Sequence, residues 1–367
     1  MVVRCSAVSE TVTTDPVPAT PPPRERGLTR RTWTLIISFL AVAVLGLLGG
    51  FARVPYVALG PGPVYDTLGQ AKGADVVSVE GQNTFPTKGT LTMTTVSLTD
   101  DVSLFGALGL WLSGRYALAP REEFFKPGES EEQVQQQNQK AFSDSQTSAE
   151  VAALHYLGYP GKVIANEITK GSPAENVIPL GARILSVNGK QVASADDVRG
   201  ALENTKPGDR IDVAFEHEGT SKSTQITLGT RDDGRASGFI GILPVDRADT
   251  PFKIKISLSD VGGPSAGLMF ALAIVDKLTP GELNGGQNIA GTGEIQGDGT
   301  VKPIGGIAFK MVAARESGAT TFLVPAANCL DAKQQTPEGM KLVKVEKLQD
   351  AVSSLEALAA GKPTPSC

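Results

Sequence analysis

The chain has 367 residues, more than one ordinary hydrophobic core organises, so two or three domains are expected. With 41% hydrophobic and 20% charged residues it reads as globular, and a net charge of −5 with only 5% aromatics argues against a nucleic-acid partner. Three cysteines and two histidines (His155, His217) show neither metal-ligand spacing nor an even disulfide framework, so no metal, cofactor, disulfide scaffold or Ser-His-Asp triad is expected.

Residues 1–32 are polar, carry Pro16, Pro18 and Pro21 to Pro23, and are expected to be a disordered cytoplasmic tail. The tail ends in Arg24, Arg26, Arg30 and Arg31. Residues 33–51 are nineteen positions without a charge, long enough for a transmembrane helix. The preceding arginines place the N-terminus in the cytoplasm and send residues 53–367 to the extracytoplasmic face of the cell membrane. A cleaved signal peptide is the competing reading, with Arg30-Arg31 hinting at a twin-arginine signal. The length of the run and the lack of a clear small-x-small site favour an uncleaved anchor.

Residues 54–147 are expected to be a membrane-proximal region. Residues 57–66 are a stiff, turn-rich exit, and Leu91 to Val96 alternates threonine with apolar residues as a strand does. Leu104 to Leu112 is apolar on all sides, so it is either buried or lies on the membrane surface, and burial is the commoner outcome. Glu129 to Gln139 reads as a solvated helix, and Ser148 begins an amphipathic helix that ends at Gly158.

Residues 148–230 form a second module. Strands are expected at 163–168, 184–187, 210–216 and 223–228, with a helix at 194–202 and a turn at Glu218-Gly219. Gly171-Ser172-Pro173-Ala174 followed by Gly181-Ala182-Arg183-Ile184-Leu185-Ser186-Val187-Asn188-Gly189 resembles a PDZ domain of the bacterial protease type, with Ala182 where aspartate is usual. The resemblance implies peptide capture as an added strand on a sheet edge; a closed β-rich spacer is the alternative.

Residues 238–360 read as an α+β domain with the chain's chemistry in it. The turn Asp260-Val261-Gly262-Gly263-Pro264-Ser265-Ala266-Gly267 runs into an apolar stretch of three helical turns. Ser265 would sit at the start of a buried helix, where free N–H groups favour developing negative charge, as a nucleophilic serine requires. A plain helix cap is the other reading. Gly297-Asp298-Gly299 marks a hairpin. After Gly305-Gly306, residues Ile307, Lys310, Met311 and Ala314 share one helix face, and the flanking residues are apolar too. A lysine so placed is either desolvated and basic near neutral pH or snorkels to water. Cys329, with no histidine near it in sequence, is expected to be a small packed residue.

Gly263-Pro264-Ser265-Ala266-Gly267, Gly291-Thr292-Gly293-Glu294-Ile295, Pro303-Ile304-Gly305-Gly306-Ile307 and Lys310-Met311-Val312-Ala313-Ala314 together resemble the proteolytic domain of Lon-type serine peptidases. Their order and the 45-residue separation of Ser265 from Lys310 fit that family. The resemblance implies that Ser265 is the nucleophile, Lys310 the general base and Thr292 a hydroxyl that places the lysine amine. Soluble Lon enzymes often carry an acidic residue where Gly262 stands, and Asp260 is a possible substitute.

The expected whole is a membrane-anchored serine endopeptidase acting on unfolded or flexible protein segments, with peptide substrates held by the PDZ groove. No GxxxxGK[ST] occurs, so no ATPase module is expected in this chain. The family implies a homo-oligomeric ring. A non-catalytic membrane-anchored scaffold that binds peptides is the alternative function.

Overall fold

The computed structural model describes residues 29–231, 233–258 and 261–367. Residues 1–28 of the proline-rich tail and Asp260 lie outside these residues, while Thr29 to Thr32 belong to the start of the first helix. The chain divides at Ala52 into two compact units. The first holds helix α1, Arg30–Phe51, whose start is capped by the Thr29 side chain accepting from the Thr32 N–H. It begins three residues ahead of the expected boundary and is long and apolar enough to cross a membrane, by length and composition.

The second unit is built on two sheets. The first runs in the order Lys341–Val345, Thr321–Pro325, Asn288–Gly291, Thr90–Thr99, Tyr56–Asp66, Ala117–Pro120. Its first four strands are mutually parallel, and Tyr56–Asp66 runs antiparallel to both of its neighbours. Short α2, Leu104–Leu112, follows the Thr90–Thr99 strand, and α3, Glu131–Tyr156, follows the edge strand. Residues 54–147 are therefore no separate region: they contribute three of the sheet's six strands. Leu91, Met93 and Phe142 share one core with Phe270, Ile289 and Leu323. The reason is hydrophobic: the parallel strands of the C-terminal part are apolar on both faces and need covering and pairing from elsewhere.

The second sheet is the PDZ-like module, in the order Thr220–Thr227, Arg210–His217, Arg183–Val187, Gly161–Ile168, Ile242–Ala248, with α4, Ala195–Leu202, packed beside it. The Glu218-Gly219 turn has positive φ at both residues, as the hairpin demands. The strand Ile242–Ala248, expected in the last domain, pairs instead with Gly161–Ile168, and Ile240 sits in the module's core. The module thus extends to residue 248 and is inserted between two segments of one domain. The chain re-enters that domain through Lys253–Ile256, which pairs with Val77–Glu80.

After the insertion come α5, Gly267–Leu278, then α6, Ile307–Glu316, the short α7, Cys329–Gln334, and α8, Leu348–Ala359. Helix α3 is one continuous helix of 26 residues rather than two. A capping box between Ser130 and Gln133 starts it, its first turns are solvated, and Phe142 packs edge-on to Phe270 of α5.

Cys329 is not a lone packed residue. It forms a disulfide with Cys367, 38 residues on, which pins the C-terminal tail to the start of α7. The odd cysteine count hid this pair, because Cys5 is the one left over. Closing a loop of that size should stabilise the fold by about 2–4 kcal/mol. Cys367→Ser should therefore melt several degrees lower in calorimetry. An unchanged Tm, with Cys329 thiol-reactive in wild type isolated without reductant, would refute the pairing.

Candidate active site

The segment ahead of α5 is held from two sides. The Gly263 N–H donates to Asn138 O at 2.9 Å, and Ser145 Oγ donates to Pro264 O at 2.7 Å, so α3 grips the turn before the serine. The Gly293 N–H and Thr292 Oγ1 both donate to Ser265 O, at 2.9 and 3.0 Å. The glycines are required here. Gly263 has φ +84°, and a Cβ on Gly262 would stand 2.9 Å from the Asn138 Cβ. That contact gives a physical reason why no acidic side chain occupies position 262. Ser265 lies one residue before Ala266, which caps α5, so it precedes the first helical turn rather than sitting in it, and its side chain is not the helix cap.

Lys310 is 2% exposed, which excludes snorkelling. The expected face of α6 is the buried one: Ile307, Lys310, Met311 and Ala314 all point inward. The lysine Nζ lies 2.7 Å from Ser265 Oγ, and donates to Thr94 O and Thr292 Oγ1, both at 3.1 Å. Burial pushes its pKa down to about 8. A neutral amine has two N–H groups and one lone pair. Thr292 has already given its proton to Ser265 O, so its oxygen can only accept from the lysine. With Thr94 O taking the second N–H, the lone pair is left facing the serine hydroxyl.

All three expected site residues are thus brought together. Thr94, Asn138 and Ser145 were missed. Thr94 sits in a strand that the threonine alternation did reveal, but only the parallel register Gly291↔Met93 sets it beside Thr292. Asn138 and Ser145 act through the backbone turn, for which no local pattern exists. The Gly263 N–H is occupied by Asn138 O and so is not free to serve an oxyanion.

Beside Ser265 opens a cleft of about 740 Å³ whose apolar wall includes Val96, Leu98, Phe124, Val261 and Ile304. It is large enough for several side chains of an extended peptide.

Residues 259–358 match the family model of the Lon protease (S16) C-terminal proteolytic domain, and residues 133–228 match that of the PDZ domain. The chain therefore carries a Lon-type proteolytic domain and a PDZ domain, behind one N-terminal apolar helix. A Lon protease of Methylocella silvestris is 37% identical over 123 residues, covering 33% of this chain and 15% of the relative. A Lon protease of Campylobacter concisus is 38% identical over 104 residues, covering 27% and 12%. The chain spans only a small part of the length of these curated relatives. The crystal structure of the PDZ domain of an SdrC-like protein from Listeria monocytogenes aligns at 25% identity over 24% of this chain and 90% of that one, with a TM-score of 0.21.

Proposed function

We propose that the chain is a serine endopeptidase in which Ser265 and Lys310 work as a dyad. The observation that carries this reading is the 2.7 Å approach of Ser265 Oγ to a buried lysine whose other two hydrogens are already engaged. Neutral Lys310 takes the hydroxyl proton as Oγ attacks the peptide carbonyl, and the tetrahedral oxyanion forms. The N–H groups of Ser265 and Ala266, at the α5 N-terminus, are the donors for it. The lysine then gives its proton to the leaving amine. Water, deprotonated by the regenerated neutral Lys310, hydrolyses the acyl-enzyme, and the lysine returns that proton to Ser265 Oγ. Thr292 fixes the lysine through its own bond to Ser265 O, and Thr94 O holds the second N–H.

The substrate class that fits is unfolded or flexible protein presenting an apolar side chain to the cleft. The PDZ module supports capture of such a chain, because its sheet ends on the strand Ile242–Ala248, an edge that a peptide can extend. Helix α1 serves as the anchor, with residues 53–367 outside the cytoplasm. The Cys329–Cys367 disulfide favours that side, since such bonds persist in oxidising compartments.

A fluorophosphonate probe tests the nucleophile directly. Wild type should be labelled on the peptide containing Ser265, and Ser265→Ala should not. A folded wild-type protein that resists both this probe and a peptide boronate would make the domain a peptide-binding scaffold instead.

A further inference from the structure

Helix α2 is not covered as its composition suggested. Only Ala107 is buried, and Leu110 packs beside it against Ala58 and Val102. Leu104, Phe105, Leu108, Trp111 and Leu112 are between 46% and 68% exposed. Their spacing of three and four puts them on one outward stripe. Residues 102–114 contain no charge, so the stripe has no polar rim of its own within the helix. A contiguous patch of this kind marks an interaction surface.

Chain connectivity says which surface. Arg53 directly follows Ala52, the C-cap of α1, and forms an antiparallel bridge with Ser103, the residue that caps α2. The Val54 N–H donates to Val102 O at 3.1 Å, and Arg53 Nε meets Asp101 Oδ1 at the same distance. Nine helical residues rise only about 14 Å. All of α2 therefore lies within about 20 Å of Arg53, the residue that follows α1 in the chain. The helix also carries Trp111, the residue type that prefers the boundary between acyl chains and headgroups.

We propose that the outer face of α2 lies in the lipid interface of the membrane that α1 spans, as a second contact that holds residues 53–367 down on the bilayer. This rests on the reading of α1 as an uncleaved anchor. Two contacts, one spanning and one interfacial, restrict how the domain can tilt, so the cleft beside Ser265 is kept at a set height above the membrane. Substrates reached in that posture are segments emerging from the bilayer surface.

The test uses the full chain with Trp33→Phe, which leaves Trp111 as the only tryptophan. It is reconstituted into phosphatidylethanolamine–phosphatidylglycerol vesicles, with and without lipids brominated high on the acyl chain, and floated on a density gradient. The expected result is a floated protein whose Trp111 emission is blue-shifted and roughly halved by the brominated lipid. Leu108→Glu with Leu112→Glu should float equally but lose the quenching. A floated protein with water-like emission, open to iodide and indifferent to bromine, overturns the proposal while leaving the anchor intact. Blue-shifted emission that depends on protein density but not on bromine overturns it in favour of a second copy of the chain. Failure to float overturns the anchor and the proposal together.

Discussion

Ser265→Ala, Lys310→Met and the double variant should each lose about a thousandfold or more of the wild-type rate, and all three to the same residual level. The readout is hydrolysis of labelled, unfolded casein by the full chain. Groups that act in one proton-coupled step cannot be removed twice, so the second substitution adds nothing. Lys310→Arg should be equally inactive, because guanidinium keeps its charge at any working pH and offers no lone pair. Substantial activity in a folded Lys310→Met protein would take the lysine out of the chemistry. Additive losses would mean that the two residues act in different steps.

The rate should climb with pH through a single ionisation near 8, the value to which burial lowers Lys310. Only the neutral amine accepts the serine proton, so kcat/KM should fall about tenfold per pH unit below that point and stand at roughly 1% of its plateau at pH 6. Stability should follow the same group with a definite sign. The folded pKa lies below the unfolded value of 10.5, so between about pH 8 and 10.5 the unfolded chain binds more protons and stability rises with pH. The lysine contributes at most about 3 kcal/mol over that window. Lys310→Met lacks this rise. At pH 7 it loses the cost of a buried charge but strands Thr94 O, worth about 1–3 kcal/mol, so its Tm should change little. A flat pH–rate profile between 6 and 9, or a Lys310→Met protein with the wild-type pH dependence of Tm, would place the titrating base elsewhere.

Removing the disulfide and probing α2 in lipid address different layers of the same architecture. The first concerns how the last residue is tied to the domain, the second how the whole domain meets its surroundings. Neither touches the serine or the lysine, so either can fail without disturbing the dyad.

What the sequence by itself determined lies mostly in local pattern. The uncharged run of α1, the buried helix after Ser265, the hairpin at Gly297-Asp298-Gly299 and the inward face of α6 follow from spacing, because helix and turn preferences are set by neighbours a few residues apart. The pairing of Ser265 with Lys310 was also legible, through motifs whose order matched a known domain. What only the tertiary structure decided depends on contacts between distant segments. One sheet joins residues 56–99 to 288–345 across a PDZ module inserted between them in sequence, and no local signal says which strand a given strand will pair with. Thr94 reaches the lysine through that pairing, 216 positions away in sequence. The same holds for α3, whose Asn138 and Ser145 fasten a turn that begins more than a hundred residues later. Composition made α2 look like core, but its outer stripe is left exposed among the described residues. An apolar helix shows only that it avoids water. The fold around it decides whether protein or lipid provides the cover.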